Sequence, residues 1–259
     1  MSSHGQDRGV WRWLMNTVSG KKKSKGQLCD KDWDCIVLTY DIPHRKTYDT
    51  LCLLRAKGYR NVLVWATPLS YVKKFSPLFQ HRPPVIIDIH PEELCRNLGF
   101  TYAQQKNGYS SLVGFKDVPI LVCGAGLLPK ELVSCKKVIN SHPGYIPLAR
   151  GLDAFKWALC EGAPIGVTTH LIGDEIDAGE IIDRRQIPVN DNDTFHAVAQ
   201  RVYEYEIVML VEALKRIKDG TVYISGGNNP VHKRMPKDIE KTLLCKFESL
   251  RKAQNNMVI

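Results

Sequence analysis

Long apolar runs are missing from this sequence of 259 residues, although 44% of the residues are hydrophobic. No segment approaches the roughly 20 apolar residues that a helix needs to cross a bilayer. Residues 1–25 also lack the apolar stretch that is typical of a secretory signal peptide. Together these absences predict a chain that works in the cytoplasm.

Closely spaced cysteine pairs are absent as well. The eight cysteines are scattered, and none has the C-x-x-C spacing of a zinc ribbon or a redox motif. Because free cysteine packs like a small apolar residue, we interpret these thiols as packing residues. The sequence shows no cluster of metal-ligating residues, so we expect no metal site.

Acidic residues are too few to balance the basic ones, and the formal net charge is +9. Residues 1–30 hold six lysines and arginines against two aspartates. We interpret residues 1–32 as a flexible basic arm, residues 33–220 as the main domain and residues 221–259 as a short extension. A basic surface suits an anionic substrate or nucleic acid, and charge alone leaves both open.

Apolar runs of strand length alternate with helical segments along the main domain. The predicted strands are 34–40, 61–66, 85–87, 120–123, 137–140, 166–172, 180–186 and 221–224. The predicted helices are 46–57, 91–97, 153–160, 195–218 and 236–250. This alternation predicts an α/β fold with a doubly wound, mostly parallel sheet and helices on both faces.

The most informative polar residues follow the predicted strand at 137–140. Asn140 and His142 are two residues apart, so in extended chain their side chains point the same way. In open parallel sheets, ligands bind beyond the carboxyl ends of the strands. An amide that stabilises an oxyanion and an imidazole that handles a proton together suit acyl transfer to an amine.

A second polar segment, residues 173–179, follows the predicted strand at 166–172. Its Asp177 is a loop carboxylate that could hold the tautomer of His142 and favour its charged form. Acidic turns are commonly exposed to solvent, and an Asn-x-His sequence also arises by chance. The spacing alone therefore leaves an Asn-His-Asp site as one of two interpretations.

Six ordered motifs between residues 121 and 189 resemble the folate-dependent formyltransferase family. They are Asn-Ser-His-Pro at 140–143, Ile-Pro at 146–147, Arg-Gly at 150–151, Trp-Ala at 157–158, Gly-Val-Thr-Thr-His at 166–170 and Asp-Ala-Gly at 177–179. The resemblance covers about a quarter of the chain closely. It implies a Rossmann-like core and transfer of a formyl group from 10-formyltetrahydrofolate.

The resemblance also implies roles for particular residues. The family's catalytic triad falls on Asn140, His142 and Asp177. The remaining implied residues are folate-binding Gly124, Gly126, Leu127, Leu128, Asp174 and Ile176, and substrate-binding Tyr145, Arg150 and Gly151. For Arg150, loop closure is an equal alternative, and we interpret His170 as a hydrogen-bonded structural residue.

Two departures from the family pattern bear on the acceptor. The turn at residues 40–44 lacks the glycines that cradle a phosphate in branches acting on glycinamide ribonucleotide. About 40 residues follow the long predicted helix, fewer than the barrel domain of the branch that formylates methionyl-tRNA. The chain is most similar to sugar N-formyltransferases, whose acceptor is a nucleotide-linked amino sugar.

The alternatives are formylation of glycinamide ribonucleotide or methionyl-tRNA and, more remotely, a non-catalytic nucleic-acid-binding protein. The basic, amphipathic tail after residue 221 suggests pairing of two subunits as a homodimer. We expect no membrane partner.

Overall fold

The computed structural model describes residues 26–69, 76–106, 108–173, 176–177, 179–220, 222–224 and 229–255. The strands are β1 Cys35–Tyr40, β2 Val62–Thr67, β3 Thr101–Gln104, β4 Ile120–Val122, β5 Val138–His142, β6 Arg150–Gly151, β7 Gly166–Leu171, β8 Gly179–Gln186, β9 Val222–Ile224 and β10 Val231–His232. The helices are α1 Gly26–Cys29, α2 Arg45–Ala56, α3 Pro91–Leu98, α4 Lys130–Cys135, α5 Ala154–Glu161, α6 Phe195–Arg216, α7 Lys237–Glu240 and α8 Leu243–Asn255, with a 3₁₀ helix at Ser110–Gly114.

Eight of these strands form one sheet in the order β3-β2-β1-β4-β5-β7-β8-β9. The first five strands in this order are parallel, whereas β7, β8 and β9 each pair antiparallel with the preceding strand. Strand order reverses between β1 and β4, and this is the kind of position where open α/β sheets bind ligands. The predicted doubly wound, mostly parallel sheet is confirmed.

Both faces of the sheet are covered, because side chains of successive strand residues point to opposite sides. In β1, Cys35 and Val37 pack against α2, α3 and α6. Ile36 and Leu38 pack on the other side, with the 3₁₀ helix and α4. This alternation also decides which residues of β5 reach the site described below.

One predicted strand is absent from the structure, and several short elements were not predicted. Residues 85–87 form no strand, and Ile86 is 74% exposed. Pro83 and Pro84 come just before this segment and carry no backbone donor for a ladder. The sequence analysis missed β3, whose residues Thr-Tyr-Ala-Gln lack an apolar run, and the short helix α4.

The predicted helix at 236–250 is two helices, α7 and α8, and they pack on the main domain. Leu243 and Phe247 are buried in the same cluster as Phe155 and Leu159 of α5. Burying such a side chain contributes roughly 1.5–3 kcal/mol. The apolar face of α8 is therefore covered within the subunit and does not support a contact with a second subunit. Homodimer formation stays a prediction.

The two ends of the chain fall partly outside the described residues. This applies to residues 1–25 of the predicted basic arm and to residues 221, 225–228 and 256–259 of the predicted extension. No described helix is long and apolar enough to span a membrane.

Candidate active site

The end of β5 carries Asn140 and His142 into a cleft of about 810 Å³. The residue between them, Ser141, points to the opposite side and contacts Thr169 of β7 at 3.2 Å between hydroxyl oxygens. Asn140 and His142 thus share a face of the strand, as the spacing predicts. Pairing with β7 holds the register, with Asn140 opposite His170 and His142 opposite Thr168.

His142 is buried, with 5% of its surface exposed. Its Nε2 lies 3.1 Å from the carbonyl oxygen of Ala149, and its Nδ1 lies 3.5 Å from Asp177 Oδ2. Burial lowers the pKa of His142, whereas the Asp177 carboxylate acts to raise it. Burial therefore favours the neutral imidazole, whereas the neighbouring carboxylate favours its protonated form.

Asp177 is fixed by backbone contacts on both sides of it. Its Oδ2 accepts a hydrogen bond from the backbone N–H of Gly151 at 2.8 Å. Arg150 donates from Nε and Nη2 to the carbonyl of Ile176, at 3.1 and 2.7 Å. These bonds tie the Asp177 loop to β6 and bring its carboxylate to His142.

Gly151 has no room for a side chain. Its φ is +88°, and a Cβ there would overlap the backbone of His232, because β6 pairs parallel with β10. Gly144 is equally confined, since a Cβ would overlap the Ala149 carbonyl and lie 2.7 Å from His142 Nε2. Both glycines therefore permit backbone to approach the site closely.

The three residues implied as substrate ligands lie in different surroundings in the structure. Gly151 lines the cleft. Arg150 is 4% exposed, and its bonds to Ile176 match the loop-closing role. Tyr145 packs its ring on Gly166 and under the Arg184 guanidinium, 4.3 Å from the ring centroid.

The residues implied as folate ligands separate as well. Ile176 lines the cleft, whereas Gly126 and Leu127 line a second cavity of about 560 Å³. Leu128 packs against the core on the α4 side. Gly124 supports the ring of Tyr40, which lies 2.7 Å from where a Cβ would be. Asp174 lies outside the described residues.

A flat, partly apolar ligand such as a pterin needs apolar surface beside free backbone groups. Leu127, which lines the second cavity, is 100% exposed, and Ile176, which lines the cleft, is 63% exposed. Each offers apolar surface in its own cavity, and large exposed apolar side chains at a cleft commonly mark ligand contact.

The sequence analysis missed a cluster of charges in the same cleft, formed by Lys46, Arg82 and Glu206. Glu206 is 1% exposed and pairs with Lys46 Nζ at 2.7 Å and with Arg82. Burial acts to raise the pKa of Glu206, but the two cations outweigh it and lower the pKa to about 2. We call these three residues the ion cluster.

A signal for the ion cluster was present in the sequence. Glu206 stands among the residues that α6 buries, between Tyr203 and Met209 at helical spacing. A carboxylate in such a stripe needs cationic partners. The partners, however, come from α2 and from residue 82, and no local pattern identifies them.

Residues 231–234 also line the cleft, and they belong to residues 229–235, which we call the C-terminal segment. Trp157 stacks on His232 with ring centroids 4.5 Å apart and donates to the Lys233 carbonyl. Asp153 accepts from the backbone N–H of Met235 at 3.0 Å. Lys233 is exposed and lines the cleft, as does Arg234.

Residues 114–214 match the family described as Formyl transferase. This match contains all three residues of the candidate triad, and it confirms the resemblance inferred from the motifs. The Lys46 and Arg82 cations and the C-terminal segment lie outside the matched residues.

Two relatives share part of this sequence. A methionyl-tRNA formyltransferase of Thermodesulfovibrio yellowstonii is 30% identical over 106 residues, which are 40% of this chain and 34% of the relative. A dTDP-4-amino-4,6-dideoxyglucose formyltransferase of Mycobacterium bovis is 28% identical over 113 residues, which are 44% of this chain and 48% of the relative. The matched segment thus spans between a third and a half of each relative's length.

The fold is also found among solved structures. An N-formyltransferase of Helicobacter canadensis, in complex with folinic acid and dTDP-3-aminofucose, superimposes with a TM-score of 0.56. The superposition covers 83% of this chain and 81% of that chain, at 15% sequence identity. At this identity the likeness establishes the fold, and it agrees with the predicted Rossmann-like core.

Proposed function

We propose that this chain, whose residues 114–214 match the formyl transferase family, transfers a formyl group from 10-formyltetrahydrofolate to the amino group of a nucleotide-linked amino sugar. The observation that carries this proposal is the meeting of Asn140, His142 and Asp177 in one cleft. Asn140 and His142 come from β5 and Asp177 comes from the loop between β7 and β8, so the chain has to fold to bring the family's motif residues together.

The roles of the three residues follow from their positions. His142 faces two acceptors, because its Nε2 lies 3.1 Å from the Ala149 carbonyl oxygen and its Nδ1 lies 3.5 Å from Asp177 Oδ2. His142 takes the proton of the attacking amine, and Asp177 stabilises the imidazolium that forms. Asn140 donates an N–H to the oxygen that becomes negative when the amine attacks the formyl carbon. His142 then returns the proton to the departing folate nitrogen.

Charge in the cleft supports an acceptor with a diphosphate. Lys46, Arg82, Lys233 and Arg234 line it together with the triad, and of these Lys46 and Arg82 pair with Glu206 and Arg234 pairs with Asp153. A nucleotide diphosphate is the part of a nucleotide-linked sugar that such cations bind. The turn that follows β1, residues 40–44, contains no glycine and therefore supplies no glycine-lined phosphate cradle.

The test is an acceptor panel with 10-formyltetrahydrofolate as donor, read out as release of tetrahydrofolate and formylation of the acceptor by mass spectrometry. The panel contains amino-sugar nucleotides, glycinamide ribonucleotide and methionyl-tRNA. We expect turnover with at least one amino-sugar nucleotide. Turnover confined to either of the other acceptors would reject the sugar assignment, and no turnover with any acceptor would reject formyl transfer.

A further inference from the structure

Ser141 stands between Asn140 and His142 on β5, and its carbonyl group points away from β7. Carbonyl groups alternate in direction along a strand, and that of Val138 accepts a hydrogen bond from Ile172 on the β7 side. The Ser141 carbonyl, three residues further on, therefore faces the β4 side. It belongs to the same peptide unit as the N–H of His142, so its contacts bear on the orientation of His142.

The chain that follows β4 turns away before it can supply a donor to this carbonyl. Ile120 donates to the Lys137 carbonyl at 2.9 Å, and the same ladder continued by four residues would bring the N–H of Gly124 to Ser141. The N–H of Gly124 instead donates to Leu38 of β1 at 3.0 Å. Ser141 is 1% exposed, and a buried backbone carbonyl needs another donor.

Lys46 of α2 supplies this donor. Its Nζ lies 3.3 Å from the Ser141 carbonyl oxygen and 2.7 Å from Glu206 Oε1. The side chain of Lys46 is 13% exposed and that of Glu206 is 1% exposed, so both charges are largely removed from solvent and compensate each other. A hydrogen bond from a charged donor is stronger than one between neutral groups. Glu206 thus holds the ammonium group against the strand that carries Asn140 and His142.

The three elements that carry these groups are packed together. Leu51 of α2, Leu210 of α6 and Ile139 of β5 are buried in the same cluster. Close-packed interiors leave side chains little room to shift. The ammonium group of Lys46 is therefore carried on a base that is fixed relative to β5.

We propose that Lys46 is a positioning residue of the reaction, which fixes the peptide unit between Ser141 and His142 through its hydrogen bond to the Ser141 carbonyl. This bond holds the His142 ring in its orientation toward Asp177 and the acceptor amine, and proton transfer depends on such alignment. Lys46 itself gives up no proton in this role. The effect on turnover rests on the formyl transfer proposed above, whereas the hydrogen bond does not.

A kinetic test uses Lys46→Met, which keeps a long side chain but removes the donor and the charge. We expect kcat at saturating donor and acceptor to fall roughly 10-fold, as for partners that orient an active-site group. The matched control is Lys57→Met, since Lys57 is an exposed lysine at the end of the same helix, and it should behave as wild type. A rise in KM for the acceptor with an unchanged kcat would assign Lys46 to acceptor binding and overturn the proposal.

A second test observes the hydrogen bond itself, without donor, acceptor or turnover. The dipeptide Ser-His occurs in the sequence only at 3–4 and 141–142. Protein labelled with ¹³C in the serine carbonyls and ¹⁵N in histidine therefore gives two signals in a carbonyl-to-amide correlation spectrum. Ser141→Ala identifies the second signal by its loss.

In Lys46→Met we expect the Ser141 carbonyl signal to move to lower frequency, because the carbonyl loses its charged donor. Arg82→Met is the matched comparison, since it removes the other cation beside Glu206 and leaves Lys46 in place. The signal should move much less in that variant. A Ser141 signal that is unchanged in Lys46→Met, or that moves as far in Arg82→Met, would overturn the proposal even if the enzyme transfers formyl groups.

Discussion

The two sides of the cleft differ in how they are built. One side consists of β5 and β7, where Asn140 and His142 are fixed by the sheet ladder and lie within the residues that match the family. The other side consists of Lys46, Arg82 and the C-terminal segment, which come from three separate parts of the chain outside the match. We infer that the shared reaction is encoded on the first side and the choice of acceptor on the second.

Two residues on opposite sides, His142 and Arg82, also differ in exposure, although Lys46 on the second side is only 13% exposed. His142 is 5% exposed, whereas the side chain of Arg82 is 40% exposed. A buried group between backbone contacts has one orientation, which a proton transfer requires. A half-exposed cation can adapt to ligands of different shape, and solvent weakens its electrostatic interaction with them.

The largest effect should come from a change on the side of the cleft formed by β5 and β7. His142→Ala should lower kcat by about 10²–10⁴-fold and change KM little, because the imidazole acts mainly in the transition state. Steady-state kinetics with saturating folate measures both constants. The loss should be similar for every acceptor that the wild type formylates, and His196→Ala should retain full activity. Near-normal turnover in His142→Ala would mean that the triad does not carry the reaction.

A smaller effect should come from the ion cluster, and it concerns stability. Glu206→Gln leaves Lys46 and Arg82 without their buried partner. The free energy of unfolding should fall by about 3 kcal/mol, at the lower end for a broken buried pair because Arg82 is partly exposed. Urea unfolding measures this loss, and Glu204→Gln, an exposed position on the same helix, is the matched control.

The same variant gives a pH signature. The pKa of Glu206 is lowered from its ordinary value of about 4.5 to about 2. Its stabilisation is therefore complete above about pH 4.5 and is lost as the pH falls toward about 2. The difference in stability between wild type and Glu206→Gln should shrink over this range, and a constant difference would contradict the ion cluster.

The smallest effect should come from the C-terminal segment. Lys233→Ala removes an exposed cation that lines the cleft, and we expect KM for a nucleotide-linked acceptor to rise about fivefold, or about 1 kcal/mol. The kcat should stay near that of wild type, since Lys233 is not part of the triad. Lys246→Ala, an exposed lysine of α8, is the control. A fall in kcat without a rise in KM would remove Lys233 from acceptor binding.

Local sequence patterns and the family motif predicted the side of the cleft formed by β5 and β7 well. The physical reason is that Asn140 and His142 lie close together in the sequence. Asn140 and His142 share a face because they are two residues apart on one strand. The acidic turn at Asp177 matched the family motif, and backbone bonds hold it in place. On this side, the anchoring of Asp177 by Gly151 and Arg150 and the position of His170 beside Asp177 required the structure.

The second side could not be predicted, because its contacts join distant parts of the chain. Glu206 meets Lys46 across 160 residues, and Trp157 donates to Lys233 across 76. No spacing rule links such positions. His170 was interpreted as a hydrogen-bonded structural residue, which its Nδ1 satisfies, whereas the buried Nε2 facing Asp177 is visible only in three dimensions.

The most direct test of the division between the two sides compares two acceptors: a nucleotide-linked amino sugar and the same amino sugar without its nucleotide. The quantity is the ratio of kcat/KM for the first acceptor to that for the second. Lys233→Ala should lower this ratio about fivefold, because it weakens only contacts to the nucleotide part. His142→Ala should leave the ratio unchanged while lowering both values. A ratio that falls as much in His142→Ala as in Lys233→Ala, or that changes in neither, would contradict the account.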